Sequence, residues 1–229
     1  AVSLGLARFA YALLLPPMRA DLGWSYLTAG AMNTVNAAGY LLGSVDFGVI
    51  VPRLFGIDIY QSGSGNPGAT NVLRTMGRKE AALVLLGDLA KGAAAAALGW
   101  WAGGVAPWGD IVGFAAGLAA VVGHCFPVWH RFKGGKGVAA AGGMVAVMEP
   151  WALLILLGVF AAVVALTRKA SLGSLIAALS LVPTLYAFGH RGWALGLAGA
   201  AVALIVARHV PNIRRLLKGR EHTIEEESA

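Results

Sequence analysis

The chain has 229 residues, of which 58% are hydrophobic and only 13% charged, and its mean hydropathy is +0.70. A soluble domain carries roughly 25% charged residues, so a water-soluble globule is excluded. The net charge of +7 falls between apolar runs, the pattern of membrane orientation rather than nucleic-acid binding, and the lone Cys125 excludes a disulfide framework or a cysteine metal site.

Apolar stretches near 2–18, 28–52, 80–103, 110–128, 138–148, 151–167, 172–189 and 192–207 predict an all-α polytopic membrane protein. The first and fifth fall short of the roughly 20 residues that a bilayer requires. No signal peptide with a cleavage site is expected. The gaps are of two kinds. Those at 19–25, 103–109, 149–150 and 190–191 are brief and poor in Lys and Arg, whereas those at 53–79, 130–136, 168–169 and beyond 207 are basic. The two kinds alternate, and the positive-inside rule assigns the basic set and the C-terminus to the cytoplasm. The end of the chain reads as a short basic juxtamembrane segment followed by an acidic, disordered tail at 223–229.

The polar loops hold the candidate chemistry. In "GSGNPGATN", starting at residue 63, Gly63, Gly65 and Gly68 permit positive φ, while Ser64, Asn66, Thr70 and Asn71 add donors and Arg74 follows. Such a loop is either an anion-binding nest or a flexible turn; it lacks the spacing of a nucleotide P-loop. In "GHCFPVWHRFKGGKGVA", starting at residue 123, Lys136 sits among Gly134, Gly135 and Gly137 just before a helix start, a setting for phosphate. Lys133 reads equally well as basic loop decoration. Ser171 and Ser174 open the next helix, Ser171 as an N-cap or as part of a site. His209 and Asn212 share a face if the last helix continues past Pro211. Asp88 and Lys91, three apart in a spanning segment, are a structural ion pair or a site. His124 reads as a satisfied imidazole at a helix end. These residues alone imply a phosphorylated substrate bound at the cytoplasmic interface, without fixing a reaction.

"GYLLGS", "GSGNPGATNVLRTMG", "GDLAKG", "GHCFPVWHRFKGGKGVA", "SLGS" and "HVPNIRRLLKG" occur in this order, and together they resemble the bacterial acyl-phosphate:glycerol-3-phosphate acyltransferases of the PlsY type over about residues 28–222. The resemblance implies a seven-helix bundle in the bacterial inner membrane with a cytoplasmic active site. It implies transfer of an acyl group from acyl phosphate to the 1-position of glycerol 3-phosphate, giving lysophosphatidic acid and phosphate for phospholipid synthesis, with no cofactor or metal. By motif, Ser64 and the backbone of Gly63 to Gly65 hold a phosphate. Arg74 and Lys136 neutralise phosphate and stabilise the oxyanion, and Ser174, His209 and Asn212 bind glycerol 3-phosphate. Asn71 and Lys91 are assigned to substrate binding. The donor's own phosphate takes the hydroxyl proton, with His209 as base in the rival scheme. Asp46, Tyr60, Ala140 and "HVPN" depart from the family pattern, which usually has Pro or Thr, Arg, Thr and "HREN" there.

Residues 5–43, ending "AGAMNTVNAAGYLLG", resemble instead the start of a major facilitator superfamily transporter. The chain thus reads as a fusion. A transporter-like 1–38 supplies one extra N-terminal helix, in which Arg8 snorkels or faces protein, and an acyltransferase domain occupies 39–222. The competing functions are a transporter of a phosphorylated or organic anion and an inactive hybrid. A transporter would carry a midplane site and pseudo-repeats, whereas the polar motifs here collect at one face. The oligomeric state is not legible.

Overall fold

The computed structural model describes residues 20, 23, 25–104 and 108–224. Among these, the chain is all-helical. The predicted first segment, Arg8, Arg19, residues 105–107 and residues 225–229 lie outside the described set.

The apolar run predicted at 28–52 is a broken span. Helix α1 (Tyr26–Gly43) ends where the Ser44 hydroxyl donates to the Tyr40 carbonyl (2.9 Å), and α2 (Phe47–Leu54) restarts after Asp46. Helix α1 runs without interruption through residue 38, so the domain junction expected there lies inside a helix. The loop read as a turn or nest contains a two-turn helix, α3 (Ala69–Thr75). Then come α4 (Arg78–Gly103), α5 (Trp108–Cys125), α6 (Val138–Met148), α7 (Pro150–Thr167), α8 (Ala170–Ala187) and α9 (Trp193–Arg208). A bend of 57° at His209 separates α9 from the short basic α10 (Val210–Leu217).

Counting α1 with α2 as one, seven apolar segments cross the described fold. Six reach spanning length when α9 and α10 are taken together, and the seventh, α6, has 11 residues. The protein is therefore a multi-span integral membrane protein.

Helix α4 packs on α1, α5 and α6, and this block is closed by α8 and α9. Close approach needs small residues where lipid gives no hydrophobic drive between helices. A Cβ at Gly92 of α4 would strike the Ala140 carbonyl, and one at Gly143 of α6 would strike that of Leu89. Phe114, Met144, Leu181 and Leu185 fill the core beside α9. Helix α7 lies outermost; only Ala152 and Leu156 are buried along it, and Trp151, Leu154, Ile155 and Leu166 are exposed on its outer side.

A single residue, Glu149, joins α6 to α7. Helix α7 is seven residues longer (18 against 11), about 10 Å of helical rise.

Candidate active site

The four basic loops meet at one end of the bundle, around a cavity of about 530 Å³. Its mouth is polar and cationic, lined by Ser64, Asn71, Arg74, Lys136, Ser174, His209 and Asn212. Its far arm is apolar, running between Leu85 and Leu89 of α4, Val145 of α6, Leu157 and Phe160 of α7, and Leu181 of α8. The opposite end of the bundle holds a separate pair, His190 and Glu149 (3.4 Å), with Arg191 over the Tyr186 ring.

The first loop is built by Asn71. Its Nδ2 donates to the Ser62 carbonyl (3.0 Å), and its Oδ1 accepts from the Ser64 N–H (2.9 Å). The Gly65 N–H donates to the Ser62 carbonyl (3.0 Å). Gly63 and Gly65 adopt the left-handed conformation the sequence predicts, at φ 54° and 68°. Two of the three N–H groups expected to cradle a phosphate, those of Ser64 and Gly65, thus donate inside the loop. The loop instead presents the Ser64 side chain to the cavity, and Asn71, 3% exposed, is its internal clamp.

Arg74, on the last turn of α3, lines the cavity while its Nε donates to the Thr223 carbonyl (3.1 Å) and its Nη2 to that of His222 (3.4 Å). The Ile224 N–H donates to the Arg168 carbonyl (2.9 Å). Thr223 and Ile224, assigned by sequence to a disordered tail, are instead tied across the mouth.

Lys136 follows a glycine turn packed on His124. The Gly135 N–H donates to the His124 carbonyl (3.1 Å), and a Cβ on Gly135 would collide with the imidazole. Gly137, at φ 87°, then starts α6. Burial pushes the Lys136 ammonium down to about 8; Glu221 opposes the fall, and Arg215, Arg74 and Arg208 add to it. Lys133 is exposed and lies outside the cavity lining.

From the other side, α8 brings Ser171 in its first turn and Ser174 at the start of its second. Its N-cap is Lys169, so Ser171 does not hold the cap position read for it. Pro211 falls in the first turn of α10, where its missing N–H costs no bond, so the helix continues and His209 and Asn212 share the cavity face. His209 is 1% exposed with Nδ1 2.8 Å from the Ile205 carbonyl; that nitrogen must carry the proton, leaving Nε2 an acceptor.

Lys91 is not brought to the cavity. Its Nζ lies 2.8 Å from Asp88 and donates to the Val45 carbonyl (2.7 Å), pinning α4 to the break between α1 and α2. Its polar partners thus lie within the fold, where the resemblance assigned it to substrate binding. Asp88, its partner, does line the cavity, as does His124, whose Nδ1 is 3.4 Å from Asp88. Asp46 is 1% exposed in the same region, and its carboxylate oxygens have no hydrogen-bond partner among the described residues.

Sequence reasoning missed Arg215 and Glu221. Arg215 Nε donates to Glu221 Oε2 (2.8 Å), and Asn212 Nδ2 donates to Oε1 (2.6 Å). Burial opposes ionisation of Glu221, but these hydrogen bonds hold its carboxyl below the ordinary range. The available signal was spacing: Arg215 lies three residues beyond Asn212, on the face already defined by His209.

Comparison with known proteins agrees with this layout. The profile for glycerol-3-phosphate acyltransferase matches residues 34–219, and one for an uncharacterised MFS-type transporter, YbfB, matches residues 1–54. The glycerol-3-phosphate acyltransferase of Rhizobium meliloti (strain 1021) is 46% identical over 189 residues, covering 82% of this chain and 90% of that protein. That of Bordetella pertussis (strain Tohama I) is 45% identical over 211 residues, covering 86% and 95%. The crystal structure of PlsY (YgiH), an integral membrane glycerol 3-phosphate acyltransferase, in its glycerol 3-phosphate form superposes with a TM-score of 0.79 at 39% identity, covering 84% of this chain and 94% of that one. Its lysophosphatidic acid form superposes with a TM-score of 0.77.

Proposed function

The chain belongs to the glycerol-3-phosphate acyltransferase family, and from that premise we propose how its cavity carries out the reaction. The protein is an acyltransferase that moves an acyl group from acyl phosphate to glycerol 3-phosphate. The observation that carries this is the single cavity with a cationic mouth and an apolar arm. It accommodates an anionic head and a hydrocarbon tail at once, a combination that a site for a small water-soluble anion does not need.

In our assignment the donor's chain lies along the apolar arm between α4 and α7, and its phosphoryl group meets Ser64, Arg74 and Lys136. Ser174, His209 and Asn212 hold glycerol 3-phosphate. His209 Nε2 accepts a hydrogen bond from the 2-hydroxyl, which orients the molecule and leaves the proton of the attacking 1-hydroxyl directed at the donor's phosphate. The 1-hydroxyl oxygen adds to the acyl carbon, and Lys136 stabilises the negative charge that develops on the carbonyl oxygen. Collapse expels phosphate, which carries away the hydroxyl proton. No strong external base is required, because acyl phosphate is already activated and the site mainly supplies positioning and charge. The mouth faces the cytoplasm of a bacterial inner membrane in this reading, because the basic loops surround it. We propose further that residues 1–38 derive from a transporter-like segment fused to an acyltransferase domain at 39–222; the two profile matches overlap at 34–54, across α1 and α2.

Purified protein given palmitoyl phosphate is expected to release phosphate only when glycerol 3-phosphate is present. No release with both substrates would defeat the proposal, and accumulation of unmodified glycerol 3-phosphate inside sealed vesicles would favour a transporter instead. Because Lys91 pairs inside the fold, Lys91→Ala should destabilise the protein by about 3–5 kcal/mol, the cost of stranding a buried partner, and leave the glycerol 3-phosphate KM near wild type. A thermal melt with parallel kinetics checks this; unchanged stability with a raised KM would return Lys91 to the substrate.

A further inference from the structure

Three consecutive carbonyls lead into Lys136, and each is held by a side chain from another part of the chain. The Tyr60 hydroxyl donates to the Lys133 carbonyl (2.6 Å). Arg208, at the C-terminal end of α9, donates from Nη2 to the Gly134 carbonyl (2.6 Å) and from Nε to the Gly135 carbonyl (3.0 Å). Its guanidinium also lies 5.2 Å from the centre of the Phe126 ring. Arg208 does not line the cavity, so it meets the turn from behind.

This grip has an electrostatic consequence. A glycine pair can rotate its peptide planes at little cost, and a plane turned the other way would aim a carbonyl oxygen at the anionic substrates. Arg208 fixes both planes with their negative ends toward its own charge. Only a planar fork reaches two successive carbonyls in this way; an ammonium is a point donor. The next residue, His209, forms the bend into α10, so one short stretch touches both the glycerol 3-phosphate pocket and the turn that carries the oxyanion cation.

We propose that Arg208 is a positioning residue that fixes the Gly134–Gly135 turn, so that Lys136 is held at the reacting carbonyl and its placement is coupled to the His209 bend. Tyr60 braces the same turn at Lys133. The inference rests on the role assigned above to Lys136.

The test uses the full-length enzyme in detergent with palmitoyl phosphate and glycerol 3-phosphate, comparing Arg208→Lys, Arg208→Gln and Lys136→Ala. A displacement on the order of 1 Å at a catalytic group costs about 10²-fold. Both Arg208 variants should therefore lose about that factor in kcat, with the glycerol 3-phosphate KM within about threefold of wild type, since Arg208 makes no substrate contact. Arg208→Lys keeps the charge and membrane insertion, so its failure to recover activity isolates the fork geometry. The pH profile adds a readout that a loss of folded protein would not move. The charged and titratable groups about Lys136 are Glu221, Arg215, Arg74, Arg208 and His209. Removing one cation in Arg208→Gln should shift the alkaline limb of kcat/KM upward. Wild-type kcat in Arg208→Lys, or a lower plateau with the limb unmoved in Arg208→Gln, overturns the positioning role while Lys136→Ala remains inactive. An active Lys136→Ala would instead overturn the underlying assignment.

Discussion

Lys136→Ala is expected to abolish measurable turnover while the protein still inserts and folds. Removing a single oxyanion donor costs about 10²–10³-fold in kcat. Lys136 is also assigned above to the departing phosphate, so the loss should reach or exceed the upper end of that range. Its surroundings add a pH signature. Burial with Arg215, Arg74 and Arg208 nearby lowers the ammonium to about 8, against the partial opposition of Glu221. The cation is the active form, so kcat/KM should be flat below that value and fall as pH rises through it. The alkaline limb reports the free enzyme, because bound phosphate would raise the Lys136 pKa and push the limb of kcat higher. A profile flat through pH 9, or an active alanine variant, would remove Lys136 from the chemistry.

Arg74→Ala should produce the second large loss, and by two routes. It removes the guanidinium proposed above to meet the donor phosphoryl group, and it releases the carbonyls of His222 and Thr223. The expected result is a fall in kcat/KM of at least about 10²-fold, comparable to stripping a charge-assisted partner from a desolvated anion. Arg74→Lys should recover little, because a point charge cannot serve the cavity and two carbonyls together. Limited proteolysis should find the chain after Gly219 newly cleavable in the alanine variant. Wild-type kinetics in Arg74→Ala would show that the phosphoryl group binds elsewhere.

The sequence made the architecture legible because the bilayer enforces it: apolar runs of limited length and alternating basic gaps leave few foldings for the seven described segments. The gathering of Ser64, Arg74, Lys136, His209 and Asn212 followed from the same alternation, since each of them sits in a basic gap, and Ser174 joins them from the helix that follows the gap at 168–169. What the sequence hid was which groups spend their hydrogen bonds on one another. Glycines and an asparagine look alike whether they cradle a ligand or close a loop, so the role of Asn71 as a clamp on Ser64 emerges only from its distances. Lys91 is similar: three residues from Asp88 it suits a site or a structural pair, and the Val45 carbonyl decides for the second. Glu221 was hidden for a different reason. It lies in a charged stretch with the composition of a disordered tail, and only the turn at Gly219 folds it back onto Asn212 and Arg215.

The most direct measurement of the central claim is a donor comparison with mass-spectrometric identification of the product. Palmitoyl phosphate, palmitoyl-CoA and palmitoyl-acyl carrier protein would each be offered to the purified enzyme with glycerol 3-phosphate. The account predicts 1-acyl lysophosphatidic acid from palmitoyl phosphate alone, formed mole for mole with inorganic phosphate. Lysophosphatidic acid made from either thioester, or none made from the acyl phosphate, would contradict it.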